Sequence, residues 1–206
     1  MRVVGGSAKG RRLVSFTHLS VRPTSDMARE AVFNVLGQDL SWAGRILDLF
    51  AGTGAMGIEA LSRGAGEAVF VDNDVSALAI VRKNLALCGF TERSSVLKKD
   101  ATEAVKWLSV KGAAFDLIFI DAPYADISLT NRTLGAVSGS SILKEDGLIV
   151  CEAAKRNASM IDAAGFDVIK EKTYGDTAVW FLKKKVTLFS KGLGSRVTGS
   201  GGIKDI

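Results

Sequence analysis

Residues 45–57 read RILDLFAGTGAMG, and this stretch decides the fold. The apolar run over 45–50 predicts a β-strand, and Ala55–Arg63 predicts a helix. Between them lies a GxGxxG pattern, whose glycines have no Cβ and therefore permit a tight turn and the close approach of a ligand. Gly57 would also let the helix pack close to the sheet. Because the pattern follows a strand and opens a helix, it indicates a cofactor-binding bend; the alternative is a glycine-rich turn that binds nothing.

Strand and helix patterns alternate over the rest of the chain. Apolar strands that alternate with helices imply a parallel sheet covered by helices on both faces, which is an α/β fold. The last two strands form a hairpin that would add an antiparallel strand at one edge. The predicted strands after the bend are 67–72, 94–98, 115–121, 147–152, 166–172 and 177–182. The predicted helices after Ala55–Arg63 are 75–87, 102–108, 129–137 and 155–164.

A basic arm is predicted at residues 1–24, ahead of a main domain at 25–183. Short strand-like pieces at 2–4 and 11–14 flank a turn-rich link and indicate a β-hairpin. The arm has no acidic residue, which suits a polyanionic partner, although a solvated basic surface is the alternative. Its candidate substrate-binding residues are Arg2, Lys9, Arg11, Arg12, Arg22 and Thr24. Residues 184–206 are rich in glycine and serine, with scattered basic residues, and predict a flexible tail.

Composition narrows the chemistry that the chain can perform. The net charge is +5, with 47% hydrophobic and 24% charged residues, as in a soluble globular protein. No apolar run reaches the roughly 20 residues of a membrane span or resembles a signal peptide, so we expect a cytoplasmic protein without a membrane partner. We also expect a monomer. Cys88 and Cys151 are far apart and His18 is the one histidine, which argues against a metal site and against histidine- or cysteine-dependent catalysis.

Two carboxylates flank the glycine bend in the predicted fold. Asp72 ends the second strand, 20 residues after Gly52, where an acid can accept both ribose hydroxyls of a nucleoside cofactor. Asp48 lies in the strand before the bend, where it would repel a pyrophosphate but can hold an ammonium group. This combination favours S-adenosylmethionine over NAD. The candidate cofactor-binding residues are Asp48, Phe50, Gly52, Thr53, Gly54, Asp72, Asn73, Asp100 and Ala101.

Asp100 has two interpretations of equal weight. It follows the third predicted strand, where its carboxylate could accept a hydrogen bond from the adenine amino group of the cofactor. It also precedes the helix predicted at 102–108, which it could cap. Asp74 is similarly placed to cap the helix at 75–87.

The fourth predicted strand ends in Asp121-Ala122-Pro123-Tyr124. Ligands bind at the carboxyl ends of parallel strands, so this tetrapeptide should face the cofactor. Asp121 and the carbonyl of Ala122 can accept hydrogen bonds from the two N–H groups of a ring-conjugated amine, which makes its nitrogen a better nucleophile. Pro123 fixes the backbone, and Tyr124 can stack on a base. The pattern indicates methylation of an exocyclic amine; the alternative is a strand-ending turn with a core tyrosine.

These motifs resemble a known family. Class I methyltransferases that modify exocyclic amino groups are similar at Asp48–Gly57, Asp72, Asp100 and Asp121–Tyr124, in that order. The chain also resembles the bacterial guanine-N2 methyltransferases of small-subunit ribosomal RNA over residues 1 to about 182. That likeness rests on Arg2-Val3-Val4-Gly5-Gly6, Gly10-Arg11-Arg12-Leu13 and Arg22-Pro23-Thr24-Ser25-Asp26, followed by Arg29-Glu30 and Phe33-Asn34.

The resemblance implies a fold and an activity. It implies a Rossmann-like sheet of seven strands with one reversed, S-adenosylmethionine as the cofactor, and a guanine amino group in 16S ribosomal RNA as the target, presented in a partly assembled small subunit. By the same likeness Asp121–Tyr124 are the catalytic residues, and Arg22 and Thr24 lie beside the active site. Ala122 is a departure, because the family usually has proline there; the carbonyl is retained, but the turn is less rigid.

Three other functions compete with this hypothesis. A DNA methyltransferase acting on adenine N6 or cytosine N4 would use the same tetrapeptide, but the chain is short for a separate DNA-recognition domain. An NAD-dependent dehydrogenase lacks a histidine acid or base near a predicted strand end. A non-catalytic RNA-binding module would retain the basic arm without methyl transfer.

Overall fold

The structure is a computed structural model that describes residues 1–16, 26–37, 39–123, 126–163 and 165–185. The helices are α1 (Asp26–Leu36), α2 (Ala55–Ser62), α3 (Val75–Cys88), α4 (Ala101–Val110) and α5 (Ile127–Ser138). The strands are β1 (Arg45–Asp48), β2 (Glu67–Asp72), β3 (Ser94–Lys98), β4 (Phe115–Ile120), β5 (Leu143–Ala154), β6 (Phe166–Tyr174) and β7 (Thr177–Lys184). Two short 3₁₀ helices lie at Thr91–Arg93 and Lys155–Met160.

The seven strands form one mixed sheet in the order β3-β2-β1-β4-β5-β7-β6. Strands β1 to β5 pair in parallel, and β7 runs antiparallel to both of its neighbours. This confirms the α/β fold and the single reversed strand.

The reversed strand does not lie at the edge of the sheet, where we predicted it. β7 is inserted between β5 and β6, and β6 forms the edge. The side chains explain this order, because residues 178–182 of β7 are all buried whereas residues 167–173 of β6 are all exposed. An apolar strand gains more from an interior position, and the charged strand tolerates water on one side.

Helices cover both faces of the sheet, as the alternating pattern predicted. Alternate residues of each strand point to opposite faces, so Ile46 and Phe70 belong to one apolar core and Leu47 and Val71 to the other. The first core receives side chains from α1, α2, α3 and the N-terminal residues. The second core receives them from α4 and α5.

The helix predicted at 155–164 is wrong. The chain forms a 3₁₀ helix over Lys155–Met160 and then becomes extended at Ile161. The side chain of Asn131 on α5 forms hydrogen bonds with two backbone groups that a longer helix would pair internally. Its Nδ2 donates to the Met160 carbonyl at 2.8 Å, and its Oδ1 accepts from the Asp162 N–H at 2.9 Å. A contact distant in sequence therefore overrides the local helical pattern.

The predicted N-terminal hairpin is reduced to a single antiparallel bridge between Arg2 and Arg12. The two segments do approach each other, since the Val3 N–H donates to the Arg11 carbonyl at 2.9 Å and the Leu13 N–H to the Met1 carbonyl at 3.2 Å. Other backbone groups of the arm bond to α2 instead. The Val4 N–H donates to Glu59 Oε2 at 2.8 Å, and the Ser7 N–H donates to the Ser62 carbonyl at 2.7 Å. The arm is thus held by the domain more than by its own pairing.

Gly57 lets α2 lie against the sheet, as predicted. A Cβ built on Gly57 would stand 2.3 Å from Cε1 of Phe70, a fully buried residue of β2. We expect Gly57→Ala to lower the free energy of unfolding by about 1–3 kcal/mol, because the ring or the helix must move. Chemical denaturation measures this change.

Gly135 on α5 offers a matched control for that substitution. A Cβ at Gly135 meets nothing within 4 Å, so Gly135→Ala should stabilise the protein by roughly 0.5–1 kcal/mol through helix propensity. Equal effects of the two substitutions would show that the approach of α2 to Phe70 is not as tight as described.

Candidate cofactor and substrate site

The carboxyl ends of β1, β2 and β4 meet at one edge of the sheet. Asp48, the last residue of β1, pairs with Phe70 on β2 and with Phe119 on β4. Beyond β1 the Leu49 N–H donates to the Phe119 carbonyl at 3.1 Å, and the Ala51 N–H donates to the Val71 carbonyl at 2.9 Å. The loop that carries the glycines therefore begins between β2, which ends in Asp72, and β4, which is followed by Asp121.

The glycine bend has the backbone geometry that only glycine adopts easily. Gly52 has φ 52° and Gly54 has φ 80°, both in the left-handed region. Asp72 ties the bend to β2, because its Oδ2 accepts from the Gly52 N–H at 2.8 Å and its Oδ1 from the Asp74 N–H at 2.9 Å. Asp72, the residue predicted to bind the ribose, thus also shapes the bend. Thr53 is half-buried in the bend, Phe50 is half-buried before it, and Asn73 is exposed beyond β2.

Asp48 is a buried carboxylate at the base of the bend. Its side chain is 3% exposed, and its Oδ2 accepts a hydrogen bond from the Gly57 N–H at 3.1 Å. The pKa of Asp48 is raised from 3.8 to about 7, chiefly by burial and also by the charge of Asp72, while the Gly57 N–H opposes the rise. A buried acid that half-ionises near neutrality is well suited to a cationic ligand, which would favour its charged form.

Asp100 acts as a helix cap in the structure. Its Oδ1 accepts from the Thr102 N–H at 2.8 Å, the Thr102 hydroxyl at 2.6 Å and the Glu103 N–H at 3.3 Å. These bonds lower the pKa of Asp100, with the Thr102 hydroxyl as the largest cause. All three use Oδ1, so the cap leaves Oδ2 available for a second donor, and the two predicted roles are compatible. Ala101, beside it, is buried.

The predicted catalytic segment follows β4. Asp121 is half-buried and lies one residue past Ile120, which pairs with Cys151 on β5. Ala122 is 2% exposed, and Pro123 is exposed. Tyr124 lies outside the described residues, so its predicted stacking role stays a prediction.

Four of the six predicted substrate-binding residues are described. Arg2, Lys9, Arg11 and Arg12 are all exposed and occupy one short segment without an acidic residue. Arg22 and Thr24 lie outside the described residues, as do His18 and almost all of the predicted tail.

Buried polar residues that the sequence interpretation missed attach this segment to the domain. Glu59 on α2 bonds the arm at Val4 and forms ion pairs with Arg29, at 3.6 Å, and Arg63, at 2.8 Å. Arg29 also donates to the Arg2 carbonyl, and all three charged side chains are almost fully buried. The sequence did offer a signal, because Glu59 is the one acidic residue of α2 and the other residues of this helix are apolar or small.

Residues 1–16, 26–37, 39–123, 126–163 and 165–185 contain no group of three metal-binding side chains. Cys88 and Cys151 are both free thiols, and burial raises the pKa of each. No helix in those same ranges is both long enough and apolar enough to cross a membrane.

Comparison with known proteins identifies the family. Residues 1–183 match the family described as Conserved hypothetical protein 95. The chain belongs to this family. One relative is Bacillus subtilis YlbH, provisionally named as an rRNA methyltransferase, which is 40% identical over 186 residues that cover 90% of this chain and all of YlbH. Ribosomal RNA small subunit methyltransferase D of Escherichia coli K12 is 32% identical, over 86% of this chain and 87% of its own length.

Solved structures of similar proteins have the same fold. The Escherichia coli protein yhhF, provisionally described as a methyltransferase, is 31% identical with a TM-score of 0.76. The match covers 90% of the present chain and 98% of yhhF. An RNA methyltransferase from Salinibacter ruber, in complex with S-adenosylhomocysteine, is 16% identical with a TM-score of 0.61, over 79% of this chain and 94% of its own. That second likeness shows the fold alone.

Proposed function

We propose that this protein transfers a methyl group from S-adenosylmethionine to the exocyclic N2 amino group of a guanine in small-subunit ribosomal RNA. The observation that carries the proposal is the meeting of the glycine bend, Asp48, Asp72 and the Asp121 segment at one edge of the sheet. The names of the relatives support ribosomal RNA of the small subunit as the substrate. We further propose that the protein acts in the cytoplasm as a monomer, on a partly assembled subunit.

The residues at this edge fit S-adenosylmethionine. The bend offers a surface without a Cβ at Gly52, where a Cβ would have open space around it, with the Phe50 carbonyl 4.0 Å away. A Cβ on Gly54 would instead meet the side chains of Ile58 and Val81 at 3.3–3.4 Å, so Gly54 lets the bend pack on the core. Asp48 would bind the ammonium group, Asp72 the ribose, and the Oδ2 of Asp100 the adenine amino group. When bound, the cofactor supplies an electrophilic methyl group on a sulfonium.

The Asp121 segment would prepare the nucleophile. The lone pair of a guanine N2 amine is delocalised into the ring, so the amine is a poor nucleophile. The Asp121 carboxylate and the Ala122 carbonyl would accept hydrogen bonds from its two N–H groups, which localises electron density on nitrogen. The methylated nitrogen loses one proton, and Asp121 is the carboxylate at this strand end to which it would pass. Holding the amine in line with the methyl group supplies much of the remaining rate.

A methyl-transfer assay tests the proposed function. The purified protein and radiolabelled S-adenosylmethionine are incubated with one acceptor per reaction: free 16S ribosomal RNA, small subunits or duplex DNA. The ribosomal RNA and the subunits come from cells that lack the protein. We expect labelled N2-methylguanine at one position of the ribosomal RNA, located by mass spectrometry of nuclease fragments. Label in DNA adenine or cytosine, or no transfer to any substrate, would overturn the proposal.

The basic arm should contribute to RNA affinity by neutralising phosphates. We expect Arg11→Ala with Arg12→Ala to weaken binding to 16S ribosomal RNA and to reduce the slope of log K against log salt by roughly 0.7–0.9 for each phosphate that is no longer neutralised. Filter binding over a salt series measures both quantities. The matched control is Lys170→Ala with Lys172→Ala, which removes two exposed cations from β6. This strand forms the edge of the sheet, and β4, β5 and β7 separate it from β1 and the glycine bend. An equal loss of affinity in the control pair would mean that the arm has no special role.

A further inference from the structure

Asn84 is a fully buried polar residue on an apolar face of α3. The helix buries Ala77, Leu78, Val81 and Leu85 along the same face, and Asn84 is 0% exposed. An amide at such a position is costly unless all its hydrogen-bonding groups are used. A leucine would satisfy packing, so the amide indicates a task other than filling the core.

The amide of Asn84 contacts two segments that are far apart in sequence. Its Oδ1 accepts from the Val14 N–H at 2.7 Å, and its Nδ2 donates to the Val14 carbonyl at 3.0 Å. The same Nδ2 donates to the carbonyl of Thr53 at 2.9 Å. One side chain therefore pairs with the end of the described basic arm, as a neighbouring strand would, and holds the middle residue of the glycine bend.

Through these bonds the arm at Val14 and the glycine bend at Thr53 are both held by the Asn84 amide. Thr53 lies between Gly52 and Gly54, whose backbone must keep its left-handed geometry to receive the cofactor. A second contact joins the same segments, because the Thr53 hydroxyl donates to Met1 Sδ at 3.4 Å. A cofactor that orders the bend would fix Asn84, and a fixed Asn84 would order the arm at Val14.

We propose that Asn84 is a positioning residue that couples cofactor binding at the glycine bend to RNA binding by the basic arm. The inference rests on the proposed function, since it needs both ligands. By thermodynamic linkage the coupling is reciprocal: occupancy of the bend strengthens RNA binding by the same factor as RNA strengthens cofactor binding. The enzyme would then favour RNA when it carries a cofactor.

The test uses the full chain with S-adenosylhomocysteine as the probe. In the wild type we expect the probe to slow hydrogen exchange at arm residues 3–14 as well as at the bend, and to raise affinity for 16S ribosomal RNA by about fivefold or more. In Asn84→Ala we expect protection at the bend only and a coupling factor near one. Thermal melts verify that the variant is folded. If it does not fold, Val14→Pro removes the Val14 N–H from the other side of the link and is expected to have the same effect.

Ser62→Ala is the matched control. The Ser62 hydroxyl accepts from the Ala8 N–H at 2.9 Å and donates to the Gly5 carbonyl at 2.6 Å, so it anchors the arm to α2. Its removal should weaken RNA binding while the coupling factor stays at the wild-type value. An unchanged coupling factor in Asn84→Ala, or a wild type that binds the probe without protecting the arm, would overturn the coupling alone. A wild type that does not bind S-adenosylhomocysteine would overturn the proposed function as well.

Discussion

Asp121→Asn should bind S-adenosylhomocysteine about as tightly as the wild type while kcat for methyl transfer falls by about 10²–10⁴-fold. The neutral amide has nearly the same shape as the carboxylate, but it accepts hydrogen bonds more weakly and does not take up a proton at neutral pH. Isothermal calorimetry measures binding, and single-turnover methylation of ribosomal RNA measures the chemical step.

The control for Asp121→Asn lies at the other end of the same strand. Asp116 pairs with Lys144 at 2.8 Å and accepts from the Arg45 N–H at 2.9 Å, away from the carboxyl edge. Asp116→Asn makes the same change in charge and should leave kcat unchanged. If Asp121→Asn retains the wild-type rate, or loses probe binding to the same extent as turnover, the proposed catalytic role of Asp121 is wrong.

Asp48→Asn should have two effects of opposite sign. The variant loses the partner of the cofactor ammonium, so we expect affinity for S-adenosylmethionine to fall by about 10–100-fold, as for a charge-assisted hydrogen bond. The same variant should be more stable than the wild type at pH 8, because it no longer buries a charge. Calorimetric titration and thermal melts measure the two effects.

The pH dependence follows from the raised pKa of Asp48. Between the unfolded pKa of 3.8 and the folded value of about 7, the native state holds a proton that the unfolded chain has released. The free energy of unfolding therefore decreases with rising pH across this window, by up to about 4 kcal/mol, and the decrease is complete above pH 7. Asp48→Asn removes that decrease. For cofactor binding the sign reverses, because wild-type affinity should fall roughly tenfold per pH unit below pH 7 as the carboxylate takes up a proton.

An exposed carboxylate controls for both effects. Asp167 is exposed on β6, at the far edge of the sheet from the bend. Asp167→Asn should change neither cofactor affinity nor stability at pH 8. A destabilised Asp48→Asn at pH 8 that binds S-adenosylmethionine normally would contradict the proposed role of Asp48.

The sequence predicted the parallel half of the sheet well because its signals are local. β2 and β3 have the predicted bounds, and the bend was identified from glycines that must adopt positive φ. Strand periodicity and turn geometry depend on neighbouring residues, which the sequence displays directly. The same holds for the cap formed by Asp100, whose spacing to Thr102 is fixed by the helix itself.

The errors occurred where partners are distant in sequence. Asn131 ends the 3₁₀ helix from 31 residues away, and the insertion of β7 depends on its pairing with β5, which lies well before it in the chain. The roles of Glu59 and Asn84 were missed for the same reason, since a polar residue in a helix is ordinary until the fold buries it. The edge of the sheet at which the candidate site residues lie was easier to predict, because the carboxyl ends of parallel strands converge by topology alone.

The position of β7 has a consequence for how the chain is made. Along one edge of β5, the residues from Leu148 to Ala154 pair with β7, which is the last strand of the sheet in chain order. During translation the ribosome releases β5 well before β7, so the growing polypeptide presents an unpaired, apolar edge until β7 has emerged. Because β6 pairs with β7 and not with β5, the sheet is completed only when β7 adds to this edge, and until then the unpaired edge favours aggregation of the nascent chain.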